Sequence, residues 1–138
     1  KEYVAKNQHR CVANANLGQT VLFSLMRHID GVVGNSSSGI IEVPSFNIGT
    51  VNIGSRQKGR IRGASVIDSE PKRDELISAL STLLSQGFRA RIKGIANPYE
   101  GVGVSNKVKQ VLKTYPLNDI LTKSFYDLVS PGNSHEQV

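Results

Sequence analysis

The hydrophobic positions fall into short blocks whose spacing changes along the chain. Val21, Leu22, Leu25, Met26 and Ile29 recur at helical spacing, which predicts a helix over 19–28 after a turn at Leu17-Gly18. Gly31–Gly34 is too short an apolar run for a helix and reads as a strand, closed by the polar turn Asn35-Ser36-Ser37-Ser38. A short helix follows over 39–45, with Pro44 close to its end, and Gly49–Ile53 reads as the next strand. A loop over 54–60 and a strand over 64–69 precede a helix over 72–84, which Pro71 opens and whose inner face carries Leu76, Ile77, Leu80, Leu83 and Leu84. A basic helical piece covers 88–95 and a loop covers 97–103. Ser105 is expected to cap a helix carrying Val108, Val111 and Leu112, which Pro116 ends. Enough periodicity remains for a last helix over 117–129, and 130–138 reads as a frayed tail. At the other end, 1–7 looks like the last turns of a helix and 10–14 like a short extended segment, so the chain is expected to begin inside a domain.

Strands near Arg10, Gly31, Gly49 and Ala64 that alternate with helices define an α/β protein with a Rossmann-like parallel sheet and flanking helices. No internal repeat or low-complexity segment interrupts that alternation. A length of 138 residues suffices for one compact domain with a core, not for two. The composition, 38% hydrophobic and 20% charged, is that of an ordinary soluble chain, and no apolar run is long enough to span a membrane. Cys11 is the single cysteine; among apolar neighbours and without an internal partner it suggests a buried strand residue in a reducing compartment, hence a cytoplasmic protein. His28, in the last turn of its helix, fits a surface residue that complements the helix dipole.

The net charge of +6 is concentrated: Arg56, Lys58, Arg60 and Arg62 fall in one loop, which favours an anionic partner. Nucleic acid fits poorly, because the loop has no interleaved aromatic residues and no known nucleic-acid motif accompanies it. A phosphorylated small molecule fits better. At a strand-to-helix turn the first amides lack carbonyl partners and carry the positive end of the helix dipole, so Ser36, Ser37 and Ser38 supply hydroxyls where an anion would sit and Gly39 would let it approach. Glu42, one helical turn further in, can accept hydrogen bonds from paired ribose hydroxyls. Arg56 would converge on the same crevice, since open α/β sheets bind ligands beyond the carboxyl ends of their strands. The residues alone leave open that the serines are only a cap and a polar turn and that Glu42 lies on a solvated face. The Gly-x-Gly-x-x-Gly pattern is absent, so nicotinamide or flavin binding has no support.

The run Gly34-Asn-Ser-Ser-Ser-Gly-Ile-Ile-Glu-Val-Pro-Ser-Phe46, with Thr50-Val-Asn-Ile-Gly-Ser-Arg-Gln-Lys-Gly-Arg60 after it, closely resembles the UDP-N-acetylglucosamine 2-epimerase family in its hydrolysing, sialic-acid-pathway branch. Leu17-Gly18, Ser65-Val-Ile-Asp68, Glu70-Pro71 and Asn97-Pro98-Tyr99 keep the same order, and the resemblance extends to about Tyr115. Asn35, Ser37 and Ser38 stand where the nonhydrolysing branch has an acidic residue and glycines. Glu100-Gly101-Val102-Gly103 departs from the family's Gly-acidic-Gly order.

The resemblance implies the carboxyl-terminal part of a two-domain, glycosyltransferase-B-like enzyme, with 1–129 as the UDP-binding α/β domain, incomplete at its amino-terminal side, and 130–138 as a tail. It implies that Ser36 and Ser37 lie on the serine turn that receives the diphosphate, with Ser38 and Gly39 also among the UDP-binding residues, that Glu42 takes the ribose hydroxyls, that Arg56 contacts the UDP moiety, and that Asn16 and Leu17 edge the uracil. The implied partners are UDP or a UDP-sugar, the amino-terminal domain of the same enzyme and a second copy in a homo-oligomer; no metal, cofactor, membrane or nucleic acid is implied. The family reaction begins with loss of UDP across the C1–C2 bond to give a glycal, and the groups that move the C2 proton are expected outside this chain. The alternatives are a nucleotide-sugar glycosyltransferase half-domain and a non-enzymatic nucleotide-binding module.

Overall fold

Three short strands carry the fold: β1 (Gly31–Gly34), β2 (Gly49–Ile53) and β3 (Val66–Ser69) form a parallel sheet in the order β1-β2-β3. The computed structural model describes residues 2–118, 120 and 121, and the chain forms two compact units, Lys1–Glu100 and Gly101–Val138. In the first unit β1 registers Gly31 against Gly49 and Gly34 against Asn52, and β3 registers Val66 against Thr50 and Ser69 against Ile53. β2 is therefore central, and its first four residues are buried. Successive strand residues face opposite ways, so Val51 looks to one side while Thr50 and Asn52 look to the other.

On the Val51 side lies the apolar core, made with Ala79 and Leu83 of α4 (Arg73–Leu84) and Phe88 and Ile92 of α5 (Gln86–Ile92). Ser85 separates these two helices, and its Oγ accepts the Phe88 amide at 3.2 Å, an N-cap that lets α5 restart directly after α4. Of the five apolar residues expected on the inner face of α4, Leu83 is buried, and Leu76 and Leu80 pack at the edge of the core. Ile77 and Leu84 are exposed. α4 comes close to the sheet because Gly49 has no side chain: a Cβ there would lie 2.5 Å from Leu83 Cδ1 and 2.6 Å from Phe88 Cε1.

On the other side of β2 sit α3 (Ser38–Ile41) and a 3-10 helix (Val43–Phe46). The helix expected over 39–45 is thus two pieces, and Pro44 lies in the first turn of the second instead of near the end of one α-helix. α2 (Gly18–Met26) buries Met26 and places the Phe23 ring 5.5 Å from Phe46. Val21 and Leu25, which the spacing assigned to its inner face, are exposed.

The strand expected at 10–14 is not formed. α1 (Glu2–Lys6) closes in a turn where the Arg10 and Cys11 amides both bond Asn7 O and the Arg10 guanidinium reaches Tyr3 Oη at 2.8 Å. Local bonds to Asn7 take the donors that a strand would have offered a neighbour, and Cys11 is half-buried, not a core residue. His28 is exposed just beyond α2, as expected of a surface position. In the second unit, α6 (Val104–Thr114) starts after Gly103, whose φ of 69° is left-handed, and has no side-chain cap, so Ser105 is a first-turn residue and not the N-cap. The helix expected over 117–129 and the tail over 130–138 lie almost wholly outside the described residues. Among those residues no helix is long and apolar enough to cross a membrane.

Gly49→Ala should destabilise the protein by about 1–3 kcal/mol, the cost of forcing an extra methyl into a packed core. Urea unfolding monitored by circular dichroism reads this directly, and an unchanged midpoint would show that Leu83 and Phe88 can retreat freely.

Candidate functional site

The carboxyl ends of the three parallel strands lie along one edge of the sheet, and the loops that follow β1 and β2 meet there. β1 ends at Gly34, and the chain turns through Asn35, Ser36 and Ser37 into α3. The turn is held by the Gly39 amide bonding Ser36 O at 3.2 Å and by the Ile40 and Ile41 amides bonding Ser37 O. Ser36 Oγ accepts the Ser38 amide at 3.4 Å. Among the described residues the Ser36 and Ser37 amides donate to no protein group, so donors and hydroxyls remain at the strand end. α3 is only four residues long, so free amides and hydroxyls, not a summed helix dipole, define the anion-binding capacity here.

Gly39 has a different position from the one expected. It is buried, and a Cβ on it would lie 2.7 Å from Thr50 Cγ2, while its carbonyl accepts Thr50 Oγ1 at 2.7 Å. Its smallness serves the approach of α3 to β2.

Glu42 ends α3, and its amide bonds Ser38 O at 3.0 Å. The side chain is half-buried, and among the described residues its carboxylate has neither a hydrogen-bond nor an ion-pair partner. It lines a cleft of about 480 Å³ together with Asn16, Leu17, Leu22, Phe23 and Ser38. Asn16 Oδ1 accepts the Gly18 amide at 2.9 Å, which shapes the segment that enters α2 and forms the far wall. Residues spread over 16–42 in the sequence thus converge on one cleft.

Arg56 does not line that cleft. It is exposed in the loop after β2 and reaches the serine turn at Asn35, with Nη1 3.4 Å from Asn35 Oδ1. Of the four basic residues in the loop, Arg62 turns inward: its Nε lies 2.7 Å from Asp68 Oδ2, and its other nitrogens donate to Arg60 O and Gln57 O. Asp68 also accepts Asn52 Nδ2 at 2.7 Å. Arg62 is therefore an internal brace, and Arg56, Lys58 and Arg60 remain as the exposed cations.

Two site-supporting residues have no signal in the spacing. Gln57, buried between two exposed cations, donates its Nε2 to Asn35 O at 2.8 Å. Asn97, also buried, donates its Nδ2 to Ile41 O and Ser45 Oγ, both at 2.8 Å, and its Oδ1 accepts the Tyr99 amide. Tyr99 Oη then bonds Ile61 O at 3.0 Å. Asn97-Pro98-Tyr99 therefore ties the end of α3 to the end of the basic loop; the only earlier clue was its place in the family resemblance.

This is a parallel α/β sheet with a polar ligand edge, and sequence comparison specifies the class. The profile of the family described as UDP-N-acetylglucosamine 2-epimerase matches residues 1–113. The chain is 42% identical over 129 residues to a GDP/UDP-N,N'-diacetylbacillosamine 2-epimerase (hydrolyzing) of Campylobacter jejuni, an alignment covering 93% of this chain and 33% of that protein. It is 36% identical over 124 residues to a UDP-N,N'-diacetylbacillosamine 2-epimerase (hydrolyzing) of Legionella pneumophila, covering 89% and 31%. With the polysialic acid biosynthesis protein P7 of Escherichia coli it shares 34% identity over 114 residues, covering 82% and 29%. The chain belongs to the UDP-N-acetylglucosamine 2-epimerase family. It spans about a third of the length of these relatives.

Asn97→Ala removes a buried side chain that bonds Ile41 O, Ser45 Oγ and the Tyr99 amide, and should cost about 1–3 kcal/mol of stability. Tyr99→Phe, which removes one exposed bond, should cost under about 1 kcal/mol. Thermal or urea unfolding of the two variants gives the comparison, and the reverse order would deny Asn97 its bracing role.

Proposed function

We propose that this chain is the UDP-binding portion of a hydrolysing UDP-N-acetylglucosamine-type 2-epimerase, the carboxyl-terminal part of a two-domain, glycosyltransferase-B-like enzyme. The observation that carries the proposal is the half-buried Glu42 carboxylate, without a partner among the described residues, sharing one cleft with Asn16, Leu17 and Ser38 next to the serine turn whose Asn35 Arg56 reaches. A carboxylate beside a cationic, amide-rich turn is a poor choice for a site that attracts anions without discrimination. It suits a ligand with hydroxyls at one end and phosphates at the other. In this assignment Glu42 accepts the ribose hydroxyls, the segment at Asn16 and Leu17 borders the base, and Ser36, Ser37, Ser38 and Arg56 face the diphosphate.

The chemistry follows from where charge develops. Elimination of UDP across C1–C2 builds negative charge on the leaving diphosphate as the glycal forms, and water then adds to the glycal. Amides, hydroxyls and a guanidinium already oriented at the strand end stabilise that charge without having to reorganise. The groups that move the C2 proton lie in the remainder of the enzyme, so this chain is a leaving-group site and carries no catalytic acid or base of its own. The same proposal makes the amino-terminal domain and a second copy its partners, and the cytoplasm its compartment.

Purified alone, the chain should bind UDP and release none from UDP-N-acetylglucosamine; release that scales with chain concentration and disappears in Ser36→Ala would overturn the division of roles. Glu42→Ala should weaken UDP by about 1.5–3 kcal/mol and 2′-deoxy-UDP by less, because the full ribose loses an additional charge-assisted hydrogen bond. Arg56→Ala should weaken both ligands alike. Calorimetry with the two ligands distinguishes the site from a general basic patch, where removing a negative charge would tighten every anion.

A further inference from the structure

Gln57 has an unusual setting. Its neighbours Arg56 and Lys58 are exposed, yet it is only 5% exposed, and its Oε1 is buried with no partner among the described residues. Its Nε2 donates to Asn35 O, the carbonyl at the head of the serine turn. Turning the amide over would bring two carbonyl oxygens together, so this single bond fixes the orientation and leaves Oε1 unpaired. A buried amide oxygen without a donor is destabilising, so Gln57 carries a cost here, and its one side-chain hydrogen bond among the described residues goes to the turn.

The backbone of Gln57 is held as firmly. Its carbonyl accepts Arg62 Nη2 at 3.2 Å, Arg62 is bound to Asp68 of β3, and Asp68 accepts Asn52 of β2. A continuous line of bonds therefore runs from the sheet through Arg62 and Gln57 to Asn35. Arg56 precedes Gln57, and its own link to the turn is exposed and long at 3.4 Å, too weak to hold a flexible guanidinium in place by itself.

We infer that Gln57 is a positioning residue: it clamps the basic loop onto the serine turn and so aims Arg56 at a diphosphate bound there. This inference rests on the UDP assignment above.

Gln57→Met keeps the volume and removes the donor; Gln57→Asn keeps the amide but shortens its reach by one methylene. Each should weaken UDP by about tenfold while changing uridine, which has no phosphate, by less than about twofold. In an Arg56→Ala background the same substitutions should have under about a twofold effect on UDP, because the two residues act as one unit. Hydrogen exchange of the amides at 36–39 should accelerate in both variants, with no change at Gly31–Gly34. Equal losses of UDP and uridine, or an undiminished effect without Arg56, or unaltered exchange at the turn, overturns the clamp. An unsubstituted chain that does not bind UDP overturns the UDP assignment and this inference with it, whereas tight UDP binding indifferent to both variants overturns this inference alone.

Discussion

Two polar side chains on the central strand constrain everything around them. A central parallel strand is ordinarily apolar on both faces, but β2 buries Thr50 and Asn52 at 2% and 1% exposure on the side away from the core. Each must find a partner or destabilise the fold. Thr50 finds the carbonyl of Gly39, which requires α3 to approach so closely that residue 39 has no room for a side chain. Asn52 finds Asp68 directly across the register, and Asp68 in turn holds Arg62. One strand thereby fixes both pieces of the ligand edge: the turn that leads into α3, and the basic loop that Arg62 folds back against β3.

The electrostatics of that edge are more polarised than a net charge of +6 conveys. Arg62 is paired with Asp68, so Arg56, Lys58 and Arg60 are the loop's exposed cations; Arg56 lies beside Asn35, and Lys58 shares a pocket with Asp68, Glu70 and Glu75. Glu42 opens onto the cleft walled by the α2 entry segment, which Arg56 does not line. Arg56 meets the serine turn at Asn35 and Glu42 shares its cleft with Ser38, so groups of opposite charge both lie beside the turn. A purely cationic surface would bind any polyanion with strong salt dependence; an edge with one carboxylate set apart favours a ligand whose own charge is uneven.

What could be read from the sequence follows contact range. β1 and β2 were legible because glycines bracket short apolar runs, and α4 because its leucines keep helical spacing over three turns. The serine turn was legible because a strand, a turn and a helix are adjacent in the chain. Short segments with local alternatives misled: 10–14 alternates as a strand does, but Asn7 captures its amides, and Ser105 resembles a cap although the left-handed Gly103 begins α6. Gln57 and Asn97 were not legible as braces, because their partners lie 22 and 56 residues away and nothing in a polar side chain's identity reveals which distant carbonyl it will meet. Gly39 was read as making way for a ligand when its neighbour is Thr50, since a glycine shows that something comes close without showing what.

The distribution of bonds also bears on how the proposed leaving-group site would work. Stabilising charge only as it develops requires donors fixed before the reaction, because donors that must first be ordered return part of the gain as lost entropy. Here the ordering is done by side chains that face away from the ligand edge. Thr50 and Asn97 hold α3, Asp68 and Arg62 hold the loop, and Gln57 joins loop to turn, leaving the Ser36 and Ser37 amides without competing protein acceptors among the described residues. Arg56 is the exception, exposed and loosely tethered. In the proposed role, a guanidinium that is nearly but not fully fixed would follow a phosphate as its charge grows and let it go afterwards. Arg62, half-buried, is instead committed to a protein carboxylate, that of Asp68. The two arginines, six residues apart in one loop, therefore differ in setting: Arg62 is engaged by the fold, and Arg56 is left exposed, as the proposed diphosphate contact requires.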